Sequence, residues 1–161
     1  MRKTTRVVRL GNTVVVAAAA AIPLTISTVS LAQDEPDDPG CTRVHAQLIE
    51  VKPLVTQNGK TLGRVGLWYS PSSRCVWGAA TNDSGDSSTE AGQLEVLVWR
   101  RASRDLPERV THGGTTQAGQ RVIGTAAIYD AAITDPNTQA LAYGKLDGGR
   151  DGNAQGKTNW F

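Results

Sequence analysis

The 161-residue chain is poor in the residues that most chemistry needs. It holds two cysteines, two histidines, one methionine and one phenylalanine, and only 5% of it is aromatic. Cys41 and Cys75 form no C-x-x-C pair, which excludes a thioredoxin-like redox motif. Together with His45 and His112 they lack the spacing of a zinc site. No G-x-S-x-G occurs, and the α/β pattern such an elbow needs is missing too. His112-Gly113-Gly114 therefore reads as a polar turn, not as the oxyanion loop of a lipase. No internal repeat is visible, and neither a cofactor nor a metal is expected.

A basic stripe is also missing. Four of the 17 Lys and Arg residues lie in the first 32 positions, which hold none of the 15 acidic residues. The remainder is mildly acidic, which argues against nucleic acid as a partner. Arg100, Arg101, Arg104 and Arg109 form the only local cluster, expected to be a solvated loop after a strand.

One long apolar run exists, and it is N-terminal. Arg2, Lys3, Arg6 and Arg9 form a basic head, Thr13–Ala32 an apolar stretch, and Ser30-Leu31-Ala32 a small-x-small exit. This order of parts is that of a cleaved signal peptide over 1–32, so a secreted product is expected, with no membrane association after cleavage. An uncleaved anchor is the alternative, since ~20 residues suffice to span a bilayer. Pro23 and the small-residue exit favour cleavage. No cysteine directly follows Ala32, which argues against a lipid anchor there, and no Arg-Arg pair marks a twin-arginine route.

The acidic, Pro-rich stretch 33–39 has nothing to bury and is expected to be a linker, with the domain occupying 40–161. Two cysteines in an oxidising compartment read as one Cys41–Cys75 disulfide. It would close a loop of about 35 residues and add ~3–4 kcal/mol by chain entropy.

Within the domain the pattern is β. Arg43–Val51 alternates, with Val44, Ala46 and Leu48 on one face, and Asn58-Gly59 is a hairpin signal. Leu62–Ser70 sets Val65, Leu67 and Tyr69 against Arg64 and Trp68, and Pro71 ends it. Arg74–Ala80 puts Cys75 and Trp77 on one face, so Trp77 is expected to pack against the disulfide. After a polar loop (Thr81–Gly92), Gln93–Arg101 opposes Leu94, Val96 and Val98 to Glu95, Leu97, Trp99 and Arg101. Ala102–Gln120 is irregular. Arg121–Tyr129 and Gln139–Leu146 read as strands, with room for a short helix near Tyr129–Ile133. Asp147–Lys157 is Gly-rich, and Thr158–Phe161 is a candidate edge strand. The expected fold is a small antiparallel barrel or sandwich of about six or seven strands with one disulfide.

The run Gly63-Arg64-Val65-Gly66-Leu67-Trp68-Tyr69-Ser70-Pro71-Ser72-Ser73-Arg74-Cys75-Val76-Trp77-Gly78-Ala79 resembles the signature of the YjfA-like family. These are small secreted proteins of Gram-positive, mainly actinobacterial, origin, and their domain has no known function. The family pattern reads approximately G-T-V-E-L-R-Y-S-P-x-C-x-T-x-W-A. Gly40-Cys41 is similar to its N-terminal cysteine. Tyr129-Asp130-Ala131 and Ala142-Tyr143-Gly144 with Asp147 are similar to its C-terminal motifs. Ser73 stands at the usual second cysteine and Cys75 two places later, a shift of roughly 6–7 Å on the same strand face. Trp68 stands where the family has Arg. The resemblance implies a secreted β fold and supplies no catalytic residues.

Three site chemistries can be weighed. Glu50, Glu90, Glu95 and Asp130 could pair as glycosidase carboxylates, but sequence places no two of them together. Asp83, Asp86 and Glu90, or Asp147, Asp151 and Asn153, offer calcium-type oxygens, yet turn-forming residues explain both stretches better. Trp68 and Trp99 stand opposite the aliphatic faces of their strands, where an exposed ring can hold a sugar or a protein partner. The expected function is a non-enzymatic extracellular module binding a cell-envelope glycan or protein through Trp68 and Trp99. The alternatives are a small extracellular hydrolase using His45 or His112, and a secreted inhibitor presenting Ala102–Gln120.

Overall fold

The fold is that of a computed structural model, which describes residues 35–84, 94–102, 107–113, 116, 120–130 and 139–161. It is all-β, and among the described residues nine strands form one antiparallel sheet. The first hairpin joins β1 (Gln47–Thr56) to β2 (Thr61–Ser70). Gly59 turns it at φ +80°, a conformation that costs glycine little. Its N–H donates to the Thr56 carbonyl at 2.9 Å, and Thr56 Oγ1 accepts from the Lys60 N–H at 3.0 Å. Pro71–Arg74 then turns the chain into β3 (Cys75–Asn82), which pairs with β2 along its whole length.

The other strands are β4 (Leu94–Arg100), β5 (Arg109–His112), β6 (Val122–Gly124), β7 (Ile128–Tyr129), β8 (Ala140–Asp147) and β9 (Asn153–Lys157). Their order is β5-β4-β8-β9-β1-β2-β3-β6, with β7 also on β3. The two ends of this path meet at a Gly113–Thr125 bridge, so the sheet is a nearly closed barrel. Closure is the arrangement that leaves the fewest unpaired strand edges.

Alternation fills the inside. Leu54, Val65, Leu67, Leu94, Val98, Ile123 and Ile128 are fully buried there. At Gly78 of β3 the opposite wall of the barrel stands close. A Cβ there would lie 2.8 Å from Val98 Cγ2 and 3.2 Å from Val96 Cγ2, so only glycine fits. Its backbone is fixed on the far side by Thr125, whose Oγ1 accepts from the Gly78 N–H at 3.0 Å.

A second, smaller cluster lies outside the barrel. Residues 35–46 cross the outer face of β3 as a strap, tied down by the Cys41–Cys75 disulfide. Beneath it Cys75, Trp77 and Ala127 are buried, with Cys41, Ala46 and Trp68 against them. The Arg43 guanidinium sits 5.1 Å over the Trp77 ring, donates to Asp37 at 2.8 Å and to the Thr125 carbonyl at 2.9 Å. Asp37 Oδ1 accepts from the Ala127 N–H at 2.7 Å, and Asp38 Oδ2 from the Tyr129 N–H at 3.0 Å. Arg109 of β5 also bonds Asp38. Asp37 and Asp38 were expected in a free linker. They instead fill the seam between β7 and β5, because open backbone N–H groups there need acceptors.

Val44, Ala46 and Leu48 share a side, as expected, and it is the outer one; three other expectations are corrected. Val44 is 58% exposed, and an irregularity between Leu48 and Glu50 resets the alternation before Leu54 turns inward. The irregular stretch Ala102–Gln120 contains β5. The Gly-rich stretch contains β9, whereas Thr158–Phe161 lies outside the strands, although Phe161 exchanges two backbone bonds with Ala140. Arg100 is not in a solvated loop: the alternation that buries Val96 and Val98 carries it inward at the barrel's end. The short helix expected near Tyr129–Ile133 falls mostly outside the described residues.

Candidate functional site

Among the described residues, side chains fill the barrel interior. Trp68 and Trp99 both face outward, as their strand neighbours required. The strand order separates them: β4 is second on the barrel path and β2 sixth, so three strands lie between them either way round. They are on opposite sides and cannot share one ligand ring.

Trp99 carries the more open surface. It is 39% exposed, and its neighbour Val110 on β5 is 40% exposed. Trp160 meets it edge to face, with ring centroids 5.5 Å apart. Such pairs hold each ring in a fixed plane. The Trp99 Nε1–H donates to Glu108 Oε1 at 2.6 Å. Over Trp160 lies the Arg101 guanidinium, 3.8 Å from the ring centroid, and its Nη1 donates to Gln139 Oε1 at 2.9 Å. Two indoles are thus bordered by a carboxylate on one side and a guanidinium on the other. Sequence reading singled out Trp99 but missed Trp160 and Arg101 as its companions.

Trp68 is half-buried and forms one wall of a shallow, open depression with Leu48, Val51, Arg64, Ala79 and Thr81. Gly66 makes the hollow, since a Cβ there would sit 3.1 Å from Leu48 Cδ1. Arg64 at the rim is neutralised by Asp83 at 2.6 Å. The depression's accessible volume of about 10 Å³ leaves room for little more than a water, far short of a small-molecule pocket.

At the barrel end near the strap, Arg100 is 3% exposed and donates to the Tyr129 and Pro107 carbonyls. Burial pulls its pKa down, against the opposing pull of the Asp130 carboxylate, itself buried. Burial likewise pushes the Tyr69 phenol up. Arg100, Asp130 and Tyr69 are all buried at this end.

The remaining candidates are dispersed. His45 and His112 are exposed, and neither bonds a described serine or carboxylate. Glu50 is held by Lys52 at 2.8 Å and by Asn159, contacts that lower its pKa. Glu95 stands 4.0 Å from Lys145 on the other side of the sheet path. Glu90 and Asp86 lie outside the described residues, as do nine of the 19 residues 102–120 considered for an inhibitory loop. Asp151 pairs with Lys60 at 2.7 Å, and Asp147 Oδ1 accepts from the Gly149 N–H at 3.1 Å, a turn-forming contact. Among the described residues no three acidic, His or Cys side chains group as metal ligands. No helix among them is long and apolar enough to cross a membrane. In comparison with known proteins, the chain matches no family model, no curated protein and no solved structure at a significant level.

Proposed function

We propose that the protein is a secreted, non-enzymatic module that binds a cell-envelope glycan through the Trp99–Trp160 face. The observation that carries this reading is the exposed Trp99 indole, oriented by Trp160 and by Glu108, on a barrel whose inside is full. A fixed, exposed indole offers an apolar surface to the C–H face of a sugar ring at little entropic cost. The Glu108 carboxylate beside it can also accept a bond from a ring hydroxyl. The Cys41–Cys75 disulfide supports an oxidising destination, and with it export on the 1–32 segment. The same bridge is compatible with membership of the YjfA-like family, despite the two-place shift of its second cysteine.

The test is co-sedimentation of the protein with insoluble cell wall and with cellulose, beside Trp99→Ala and Trp68→Ala. Pelleting lost in Trp99→Ala and kept in Trp68→Ala supports the reading. Pelleting that neither substitution changes, or none at all, overturns it and leaves a protein partner as the next reading to test.

A further inference from the structure

Arg101 is an ordered cation with unspent bonding capacity. Its guanidinium is exposed, yet it is held by two contacts, the Trp160 ring at 3.8 Å and Gln139 at 2.9 Å. Neither contact neutralises it. Arg43, Lys52, Lys60, Arg64, Arg109 and Lys145 each have a carboxylate within 4.0 Å, whereas Arg101 has none among the described residues. The bond to Gln139 uses one of five N–H donors, and stacking occupies the flat face, so the donors along the edge remain free. A planar guanidinium held against an aromatic ring loses little freedom when it forms a two-pronged bond to an oxyanion. That edge belongs to the same face as Trp99, because Trp160 touches both. The carboxylate of Glu108 is committed to the Trp99 indole at the other border.

We infer that Arg101 makes the Trp99–Trp160 face selective for glycans bearing an oxyanion, a carboxylate or a phosphodiester, next to the stacked ring. This rests on the glycan-binding reading and names the chemical class of its ligand. The charge on the face is complementary to such a polymer. A neutral glycan would engage the indoles and leave the guanidinium unused.

The test compares four insoluble probes: whole cell wall with its phosphate polymers, the same wall stripped of phosphate by acid, cross-linked polygalacturonate, and cellulose. Binding of the protein is measured beside Arg101→Gln and Arg101→Lys, each first checked for an unchanged melting profile. The expected result is pelleting that Arg101→Gln weakens roughly threefold to tenfold on an anionic probe and leaves unchanged on cellulose. Arg101→Lys restores part of it, because it keeps the charge but not the planar fork. Binding kept on stripped wall and present on polygalacturonate identifies a carboxylate ligand; binding lost on stripped wall and absent on polygalacturonate identifies a phosphodiester. Equal binding of wild type and Arg101→Gln to every probe overturns the inference while leaving glycan binding intact. No pelleting on any probe removes the underlying reading instead. A salt titration of the wild type is independent of any variant's folding: binding to the anionic probes must fall with ionic strength, and salt-insensitive binding overturns the inference.

Discussion

Removing the disulfide is the most quantitative test of how the strap is held. Cys41 and Cys75 are 34 residues apart in sequence, and the loop between them contains all of β1 and β2. By chain entropy, closing a loop of that length lowers the freedom of the unfolded chain by roughly 4 kcal/mol at 25 °C. Cys41→Ala/Cys75→Ala should therefore lose about that much stability. For a domain of this size each kcal/mol moves the melting midpoint by about 3 °C, so a fall of about 10–12 °C is expected. The barrel itself should survive, because its core lies on the other side of β3 from the bridge. Circular dichroism melts of the oxidised protein and the double variant measure the shift. Hydrogen exchange adds location: protection should drop at Cys41, whose N–H bonds Asp38, more than at Val65 in the core. A fall under about 4 °C would refute loop closure as the bridge's contribution. A variant that does not fold at all would refute the claim that the barrel is held by its own core.

Two more outcomes follow from single positions. Gly78→Val drives its branched side chain into Val98 and Val96 and should cost about 1–3 kcal/mol, read as a lower urea midpoint at unchanged slope; a neutral result would mean that β3 and β4 are not opposed as described. Burial alone would raise the Asp37 pKa, but hydrogen bonds from Arg43 and the Ala127 N–H outweigh it and hold the carboxyl below its usual range. Its contribution is thus present above the unfolded-state value of about 3.9 and is lost as pH falls through the lower folded-state value. Asp37→Asn should be less stable than wild type at pH 7, and the gap should close on acidification below about pH 4. A gap that stays constant across that range would remove Asp37 from the seam.

Where two-residue alternation is strong and uninterrupted, sequence and structure agree. Leu94, Val96 and Val98 face in and Trp99 faces out, and Val65 and Leu67 oppose Trp68 in the same way. The pattern failed where a local irregularity or a non-local acceptor intervened. The irregularity at Leu48/Glu50 breaks the period within β1, so a single alternation could not be read through it. The strand β5 has only four residues and owes its pairing to β4. The strand β9 is a Gly- and Gln-bearing pentapeptide with little propensity of its own, held by β8 on one side and β1 on the other. Asp37 and Asp38 look like linker residues because their partners are backbone groups some 90 residues away.

The candidate site shows the same division more sharply. Alternation determines which way Trp99 points, but not what stands beside it. That depends on strand order. Arg100 pairs with Ala140 in β8, and Ala140 exchanges backbone bonds with Phe161, so Trp160 is carried to within 5.5 Å of Trp99. Arg101, one residue past the end of β4, leaves the ladder and bends over Trp160 while Gln139, one residue before β8, steadies it. Three segments spanning some 60 residues thus meet on one face, and none contains a motif that announces the meeting. Trp68, equally legible as outward-facing, gains no such neighbours, because β1 and β3 bring it Leu48 and the strap cluster. Two tryptophans equivalent in sequence pattern therefore stand in unlike surroundings. The difference lies in the topology that surrounds each ring, which is why Trp99 and Trp68 form the informative pair of substitutions.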